Sequence, residues 1–501
     1  MSSILYTLMR ELPAALIHKL RGQEVKNQSA FEGAAQGRRT VGWYAPGGGP
    51  NSLLKYQGKT LRDRSRAGYR NNPWIAKGIN NLVSNEVGTG IIPRSKVEDE
   101  DLRKAINALW AQSVKRFDPE GVLDFYGQQT QLVKARRTAG EVLILKKPRK
   151  IQSMHVPLQV KVLEAEFLST NQAASSRVVP GNTFDSGVEF NTAGERVAYH
   201  MYQYHPQEQN SKMNKIVRVP ASMVIHHYLP TRPGQIRGEP DSIQALLKAY
   251  TFDSYDDAEL TRKQTRAPYT GFLGREAYDE TDYLYDPFTG ALKNEDSSGV
   301  VQIAAEPGTV LTGLPGEALT LFDGDDTGQG YADFMRQQLL GIAAGLGLPY
   351  ELLTGDWSKV NDRLVRAILN EYRREIEACQ DQLTTYQICN GVWSWWFDAA
   401  VASGKLVIPG YAKNREEVQA VEWRPQAWPY VSPESDVKAK IKAIDADLSS
   451  LDAEVAKTGW DAEDIQKQNV EAQKRKRDLL KAANIPLPED ILAAKKPKID
   501  K

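Results

Sequence analysis

Cysteine is nearly missing from this sequence, with only Cys379 and Cys389 in 501 residues. Two thiols cannot staple a disulfide scaffold, and their spacing matches no thiolate zinc site or redox pair. A reducing compartment is therefore expected, with the two residues serving as core fillers. A long apolar run is also missing. The most apolar N-terminal stretch, Leu12 to Ile17, is short and flanked by Arg10-Glu11 and His18-Lys19. It fits neither a signal peptide nor a membrane span and reads as an amphipathic helix. Excess charge of either sign is absent, because 64 Lys and Arg face 63 Asp and Glu for a formal +1. Any surface for nucleic acid would have to come from local segregation of charge. There is no internal repeat and no Walker-type lysine loop, so a motor ATPase is not supported.

What is present is ordinary globular material: 41% hydrophobic residues, 25% charged, 38 Gly and 26 Pro. At roughly 100–200 residues per domain, the length predicts about two to four domains. Gly22 to Ser52 is rich in Gly, Gln and Ser and reads as an arm. From Thr60 the pattern turns helical, with Asn72-Pro73 starting a helix that carries Ile75, Ile79, Leu82 and Val83. Further helices are expected near Asp101–Arg116 and Tyr126–Thr138. The period then changes to two in Glu141–Lys146, Leu158–Leu163, Arg196–Tyr202 and Met223–Tyr228, which predicts strands in a helix-flanked sheet domain.

A helix is predicted from Pro240-Asp241-Ser242 to Arg266, and a second from Tyr331 to Gly347. Between them, residues 275–326 hold twelve acids against two bases, net −10, among short β-like runs broken by Pro and Gly. This segment reads as a small β-rich module. Gly341 and Gly345, four apart, allow helix backbones to approach closely. Residues 350–361 read as a loop. Leu364, Val365, Ile368, Leu369, Tyr372, Ile376, Cys379, Leu383, Tyr386, Trp393 and Phe397 then repeat at three and four, predicting one helix of about 60 Å from Asp362 to Ala402. A Pro- and Trp-containing connection leads to a charged helical region from Asp436 to about Ala483.

Several chemical readings fail on context. Val87-Gly-Thr-Gly90 follows a helix instead of a strand and lacks a third glycine, so it is not a dinucleotide loop. His226 and His227 could join Asp323-Gly-Asp-Asp326 at a metal, but adjacent residues on a strand face opposite ways. Trp393, Trp395 and Trp396 suit a buried core better than a base-stacking platform, and Lys474–Arg477 reads as a solvated face. No catalytic constellation, metal or cofactor site emerges.

Four blocks, in order, resemble the lambda-type family of tailed-phage portal proteins. They are Arg70–Trp74 with Asn85–Ile91, Arg232–Pro240, Ile342–Tyr350 and Leu353–Asp356, within a resemblance spanning Thr60 to Gly404. The Lys359-Val-Asn-Asp-Arg363 stretch is less Ser-rich than the family pattern. The resemblance implies an α+β subunit with an N-terminal helix and arm (1–59), a wing (60–237), a first stem helix (238–267), a clip (268–329) and a second stem helix (330–348). It continues with a tunnel loop (349–361), a long radial helix (362–403), a connection (404–433) and a crown with tail (434–501).

The same resemblance implies a ring of about twelve subunits, without enzymatic activity, at one capsid vertex of the virion and assembled in the host cytoplasm. Double-stranded DNA would pass through it, and the terminase large subunit, major capsid protein, scaffold and head-completion or tail adaptor proteins would be its partners; no membrane is involved. By that analogy Trp357, Lys359, Asn361, Arg363 and Arg366 would face DNA in the tunnel, Gly341 and Gly345 would pack the stem between subunits, and Asp323, Asp325 and Asp326 would dock partners. The competing classes, a DNA-processing enzyme or a DNA-binding module of a mobile element, would need a metal or nucleophile constellation or a basic face.

Overall fold

The computed structural model describes residues 47–149, 154–170, 177–208, 214–266, 271–275, 317–321, 330–430 and 432–483. The chain divides between Leu53 and Leu54, and the architecture below is that of the unit from Leu54 onward. Helix α1 (Pro50–Asn71) starts well before the expected Thr60. Its buried face is Leu54, Gly58, Arg62 and Ser65, too small and polar to leave an apolar period in the sequence. Helix α2 (Pro73–Val87) starts where expected. Asn72 accepts a hydrogen bond from the Ile75 amide at 2.9 Å, Pro73 sits in the first turn, and Ile75, Ile79, Leu82 and Val83 are buried.

Strand β1 (Ile92–Ser95), helix α3 (Glu100–Ser113) and helix α4 (Phe125–Ala139) follow. Helix α4 ends on Gly140 at φ +88°, where a Cβ would stand 2.6 Å from the Glu239 backbone; only glycine lets these chains touch. Strand β2 (Glu141–Pro148) leaves this turn as the centre of a three-stranded antiparallel sheet, between β3 (Leu158–Glu164) and a strand at Val224–Tyr228. A second sheet is a four-stranded antiparallel meander of β4 (Thr183–Asp185), β5 (Val188–Phe190), β6 (Arg196–Tyr202) and β7 (Ile216–Pro220), after which β8 (Val224–Tyr228) returns to the first. Alternation on β2 serves both sides. Val142 and Ile144 join an aromatic core around Trp110, whereas Leu143 joins Val188, Tyr199 and Met201 between the sheets.

Helix α5 (Ile243–Arg266) leads toward the acidic segment, of which β9 (Gly271–Arg275) and β10 (Glu317–Leu321) are described. They pair antiparallel, with Gly271 opposite Leu321 and Arg275 opposite Glu317. Asp323, Asp325 and Asp326 lie outside the described residues. Helix α6 (Gly330–Leu346) packs on α5, burying Ala245, Ala249 and Phe252 against Leu339, Ile342, Ala343 and Leu346. The expected loop at 350–361 is half helix. Gly347, at φ +70°, closes α6, and Pro349 precedes the short α7 (Tyr350–Thr354), leaving residues 355–361 as the loop.

Helix α8 (Asp362–Cys379) runs through a π-helical stretch, Gln380–Cys389, into α9 (Asn390–Ala402), so the long helix is continuous. Its predicted stripe breaks at Tyr386, which is 72% exposed. The π stretch rotates the later residues away from a strict three-and-four spacing. Trp393, Trp395 and Trp396 are buried as expected, Trp110 meeting Trp396 edge-on at 5.0 Å. After the short α10 (Arg415–Val418), the connection contains a strand missed in the sequence: β11 (Val421–Arg424) pairs with β1, Ile92 opposite Arg424. Helices α11 (Pro433–Asp445), α12 (Leu451–Ala456) and α13 (Ala462–Ala482) form the charged region, anchored where Arg424 donates to the Trp460 carbonyl at 2.7 Å. Among the described residues, no helix is long and apolar enough to cross a membrane.

Within one chain, Gly341 and Gly345 lie on the face of α6 that meets α5. A Cβ on Gly345 would lie 3.0–3.1 Å from backbone atoms of Gln244 and Ala245, and one on Gly341 would meet only the movable end of Lys248. Gly345→Leu should therefore cost about 1–3 kcal/mol through overpacking, while Gly341→Ala should be neutral or stabilising, by up to about 1 kcal/mol of helix propensity. Thermal unfolding of the two variants checks this contrast, and equal effects would contradict it.

Candidate channel loop and the buried charge network behind it

The residues between α7 and α8 are set by local polar chemistry. Gly355 turns the chain at φ +79°, and Asp356 accepts from the Ser358 hydroxyl at 2.6 Å and the Ser358 amide at 3.0 Å. Those bonds, the hydroxyl first, hold the Asp356 carboxyl below its ordinary range, with Arg336 adding attraction from 3.4 Å. Asn361 caps α8 by accepting from the Leu364 amide at 3.0 Å, and Arg366 pairs with Asp362 one turn earlier at 3.4 Å. Trp357, Lys359 and Arg363 are exposed, Trp357 at 38%. Of the five predicted tunnel residues, then, two have structural partners and three present bulk and positive charge to solvent.

Helix α2 supports this loop from behind. The Asn81 side chain donates to the Leu352 carbonyl at 3.5 Å and accepts from the Tyr372 hydroxyl at 3.0 Å, joining α7 and α8 to one point. One turn beyond, Glu86 is fully buried. It accepts from Arg136 at 3.1 Å, from Arg137, and from the Thr384 hydroxyl at 2.5 Å. Burial alone would raise the Glu86 pKa; the two guanidinium groups and the hydroxyl more than reverse that and hold it at about 2. Arg137 and Arg136 also reach Asp241, at 2.6 and 3.4 Å.

Glu141 is the second buried centre. It accepts from Arg237 Nε at 2.7 and 2.8 Å, from the Gly238 amide at 3.1 Å, from His226 at 3.0 Å and from Arg62 at 3.5 Å. Burial opposes the charge, but Arg237 and His226 outweigh it and hold the carboxyl well below the usual range. Arg62 and Arg66 both pair with Glu166, Arg66 in fork geometry at 2.8 and 2.9 Å. Arginines hold these interior carboxylates in their charged form, and the cluster ties distant segments of the chain together.

Sequence reasoning did not single out Glu86, Glu141, Arg136, Arg137 or Arg237. Two of the quoted blocks did contain members, Glu86 in Asn85–Ile91 and Arg237 in Arg232–Pro240. Burial of a charge was the missing information, because charged residues read as surface.

The Thr89 amide in the Val87–Gly90 turn donates to Gln426 at 2.9 Å. His226 faces Glu141 and His227 faces Gln387 at 2.8 Å, on opposite sides of β8. Among the described residues, Glu164, Glu166 and His205 alone cluster as metal ligands could, and the arginines already occupy Glu166. Lys474–Arg477 is exposed. Cys389 is buried, which pushes its thiol pKa up, and Cys379 is half-buried.

Residues 36–380 match the family model described as phage portal protein, lambda family. The chain therefore belongs to the lambda family of phage portal proteins. It is 24% identical over 456 residues to a probable portal protein of Halomonas phage phiHAP-1, covering 87% of this chain and 85% of that one. It is 25% identical over 332 residues to portal protein B of Escherichia phage lambda, covering 60% of each. A chain from the neck of an empty gene transfer agent particle aligns at TM-score 0.47 and 12% identity, over 84% of this chain and 98% of that one.

The buried charges make stability depend on acid. Glu86, ordinarily near 4.5, is held at about 2, so its contribution is complete above 4.5 and is lost as pH falls toward 2. His227, ordinarily 6.5, is pushed down by burial first and then by Arg136, to about 3. The unfolded chain therefore takes up that proton first, and stability falls from pH 6.5 to 3. Melting temperature should thus decline continuously from pH 6.5 to 2. Glu141→Ala, which strands Arg237 in the interior, should cost about 3–5 kcal/mol. Calorimetry across pH checks both, and equal melting at pH 7 and pH 4 would contradict the first.

Proposed function

We propose that this portal protein assembles as a closed ring of about twelve copies at one capsid vertex, built in the host cytoplasm and carried in the virion. In this reading double-stranded DNA passes through the ring during packaging and ejection. Residues 60–237 form the wing, α5 and α6 the stem, 268–329 the clip, 355–361 the tunnel loop, α8 through α9 the radial helix and 434–501 the crown. The part is structural and not enzymatic. Terminase and head-completion or tail adaptor proteins dock on the clip, with Asp323, Asp325 and Asp326 among the contacts, while the major capsid protein and scaffold meet the rest of the ring.

Besides family membership, one observation carries the ring. The α5–α6 pair is closed on one side by the glycine contact, yet α5 exposes Leu247 at 74% and Tyr250 at 71% on another, one helical turn apart. A neighbouring copy covers that stripe. Particle mass should be many times 55.9 kDa, and Leu247→Glu with Tyr250→Glu should shift sedimentation toward monomer while leaving the far-UV spectrum unchanged. An intact ring in that variant would remove the stem from the interface.

The loop follows from topology, since a turn between a stem helix and an outward-running helix lies at the inner wall. A sparse ring of Lys359 and Arg363 guides DNA without clamping it, because each added phosphate contact raises affinity and salt sensitivity. Lys359→Ala with Arg363→Ala should leave ring mass unchanged but alter packaging or retention of DNA in a salt-dependent way. A cross-linker at position 359 should reach DNA in filled heads, and one accessible only on the outer rim would refute the placement.

A further inference from the structure

The two sheets separate at one end, between the last residues of β2 and the turn from β7 to β8, leaving a groove of about 610 Å³. Its lining carries Lys146, Lys147, Arg149 and Arg218, and no carboxylate. Arg218 is fixed by Glu189, donating through Nε at 2.7 Å and Nη2 at 3.0 Å, and Lys146 lies 5.7 Å over the Trp395 ring. Lys147 is half-buried, and burial, then the neighbouring Lys161 and Arg149, push its pKa below the ordinary 10.5, with only Glu120 acting the other way. Concentrating cations against partial desolvation is unfavourable, and an arriving anion relieves it.

The walls are apolar, supplied by Leu145, Val219 and Met223. Strand β7 ends its sheet, pairing among the described residues with β6, and its outer edge is blunted, because Pro220 offers no amide and the Ile216 carbonyl already accepts from Arg177; an occupant of the groove is therefore held by side chains and not by an added strand. We propose that this groove docks an extended, acidic and partly apolar segment of another protein, which lays its apolar side chains on Leu145, Val219 and Met223 and sets its carboxylates on Lys147 and Arg149. A bare phosphate backbone would use the cations but gain nothing from the apolar walls, whereas such a segment uses both. The proposal does not depend on the channel assignment.

The test is fluorescence anisotropy on the full-length assembled protein with a labelled peptide of about ten residues alternating Glu and Val, long enough to cross the groove when extended. Controls are a Glu and Gly peptide of equal length and charge, and a short DNA duplex as competitor. The Glu-Val peptide should bind, the Glu-Gly peptide about fivefold or more weakly, and Lys147→Glu with Arg149→Glu should weaken binding about tenfold or more. Arg149→Glu alone, at an exposed position, carries the test if the double variant melts early. Absence of peptide binding, equal affinity for both peptides, displacement by equimolar duplex, or indifference to the charge reversals would each overturn the proposal.

Discussion

Burying a carboxylate is unfavourable unless donors surround it; among the described residues Glu86, Glu141 and Glu189 are fully buried, and the first two join the most distant parts of the chain. Their donors come from stretches far apart in the chain: α1, the end of α4, the 237–238 turn, β8 and the π stretch of the long helix. None of these stretches can leave without stranding a charge. The arrangement therefore specifies which segments must meet, a demand that apolar packing alone makes less strictly. Gly140 and Gly238 complete it. Their backbones come so close that a Cβ on Gly238 would overlap the Gly140 carbonyl, and that approach brings Arg237 and Asp241 beside the ends of α4 and β2.

The exposed loop gains its position from this buried arrangement. Asn81 ties α2 to both flanks of the loop, and Glu86, farther along the same helix, locks α2 to α4. A segment that presents Trp357, Lys359 and Arg363 to solvent is thus carried on a strut whose far end is immobilised by charge. Exposed side chains on a rigid support are the usual division of labour between loops and scaffolds.

Much of the fold was legible in the sequence. Asn72-Pro73 announced α2, period-two runs announced β2, β3, β6 and β8, and the spacing from Tyr372 to Ile376 announced α8. In each case apolar or aromatic residues dominate the run, which is what periodicity records, even where a buried His200, His226 or Glu141 interrupts it. Helix α1 was dated late because its buried face is Gly58, Arg62 and Ser65. Strand β11 was missed because its partner β1 lies more than three hundred residues away, and four residues, three half-buried and one a buried arginine, carry little pattern alone. Of the candidate site, residue types around Lys359 and Arg363 were readable, but not that Asn361 is a cap or that Gly345 packs within the chain. The charge network was invisible for a different reason, since burial of an arginine is decided by the fold and not by its neighbours in sequence.

The π stretch at Gln380–Cys389 works as a phase adjuster. Its wider turns advance the helix less per residue around its axis than α-helical turns do. Upstream, Tyr372 and Ile376 enter the core shared by α2, α5 and α6; downstream, Trp393, Trp396 and Phe397 enter the aromatic core of α3, α4 and β2. In between, Gln380, Thr384 and Gln387 spend their side chains on the carbonyls of Asn85 and Glu86, the Glu86 carboxylate and the edge of β8. One rod can therefore serve two cores that lie at different azimuths around it.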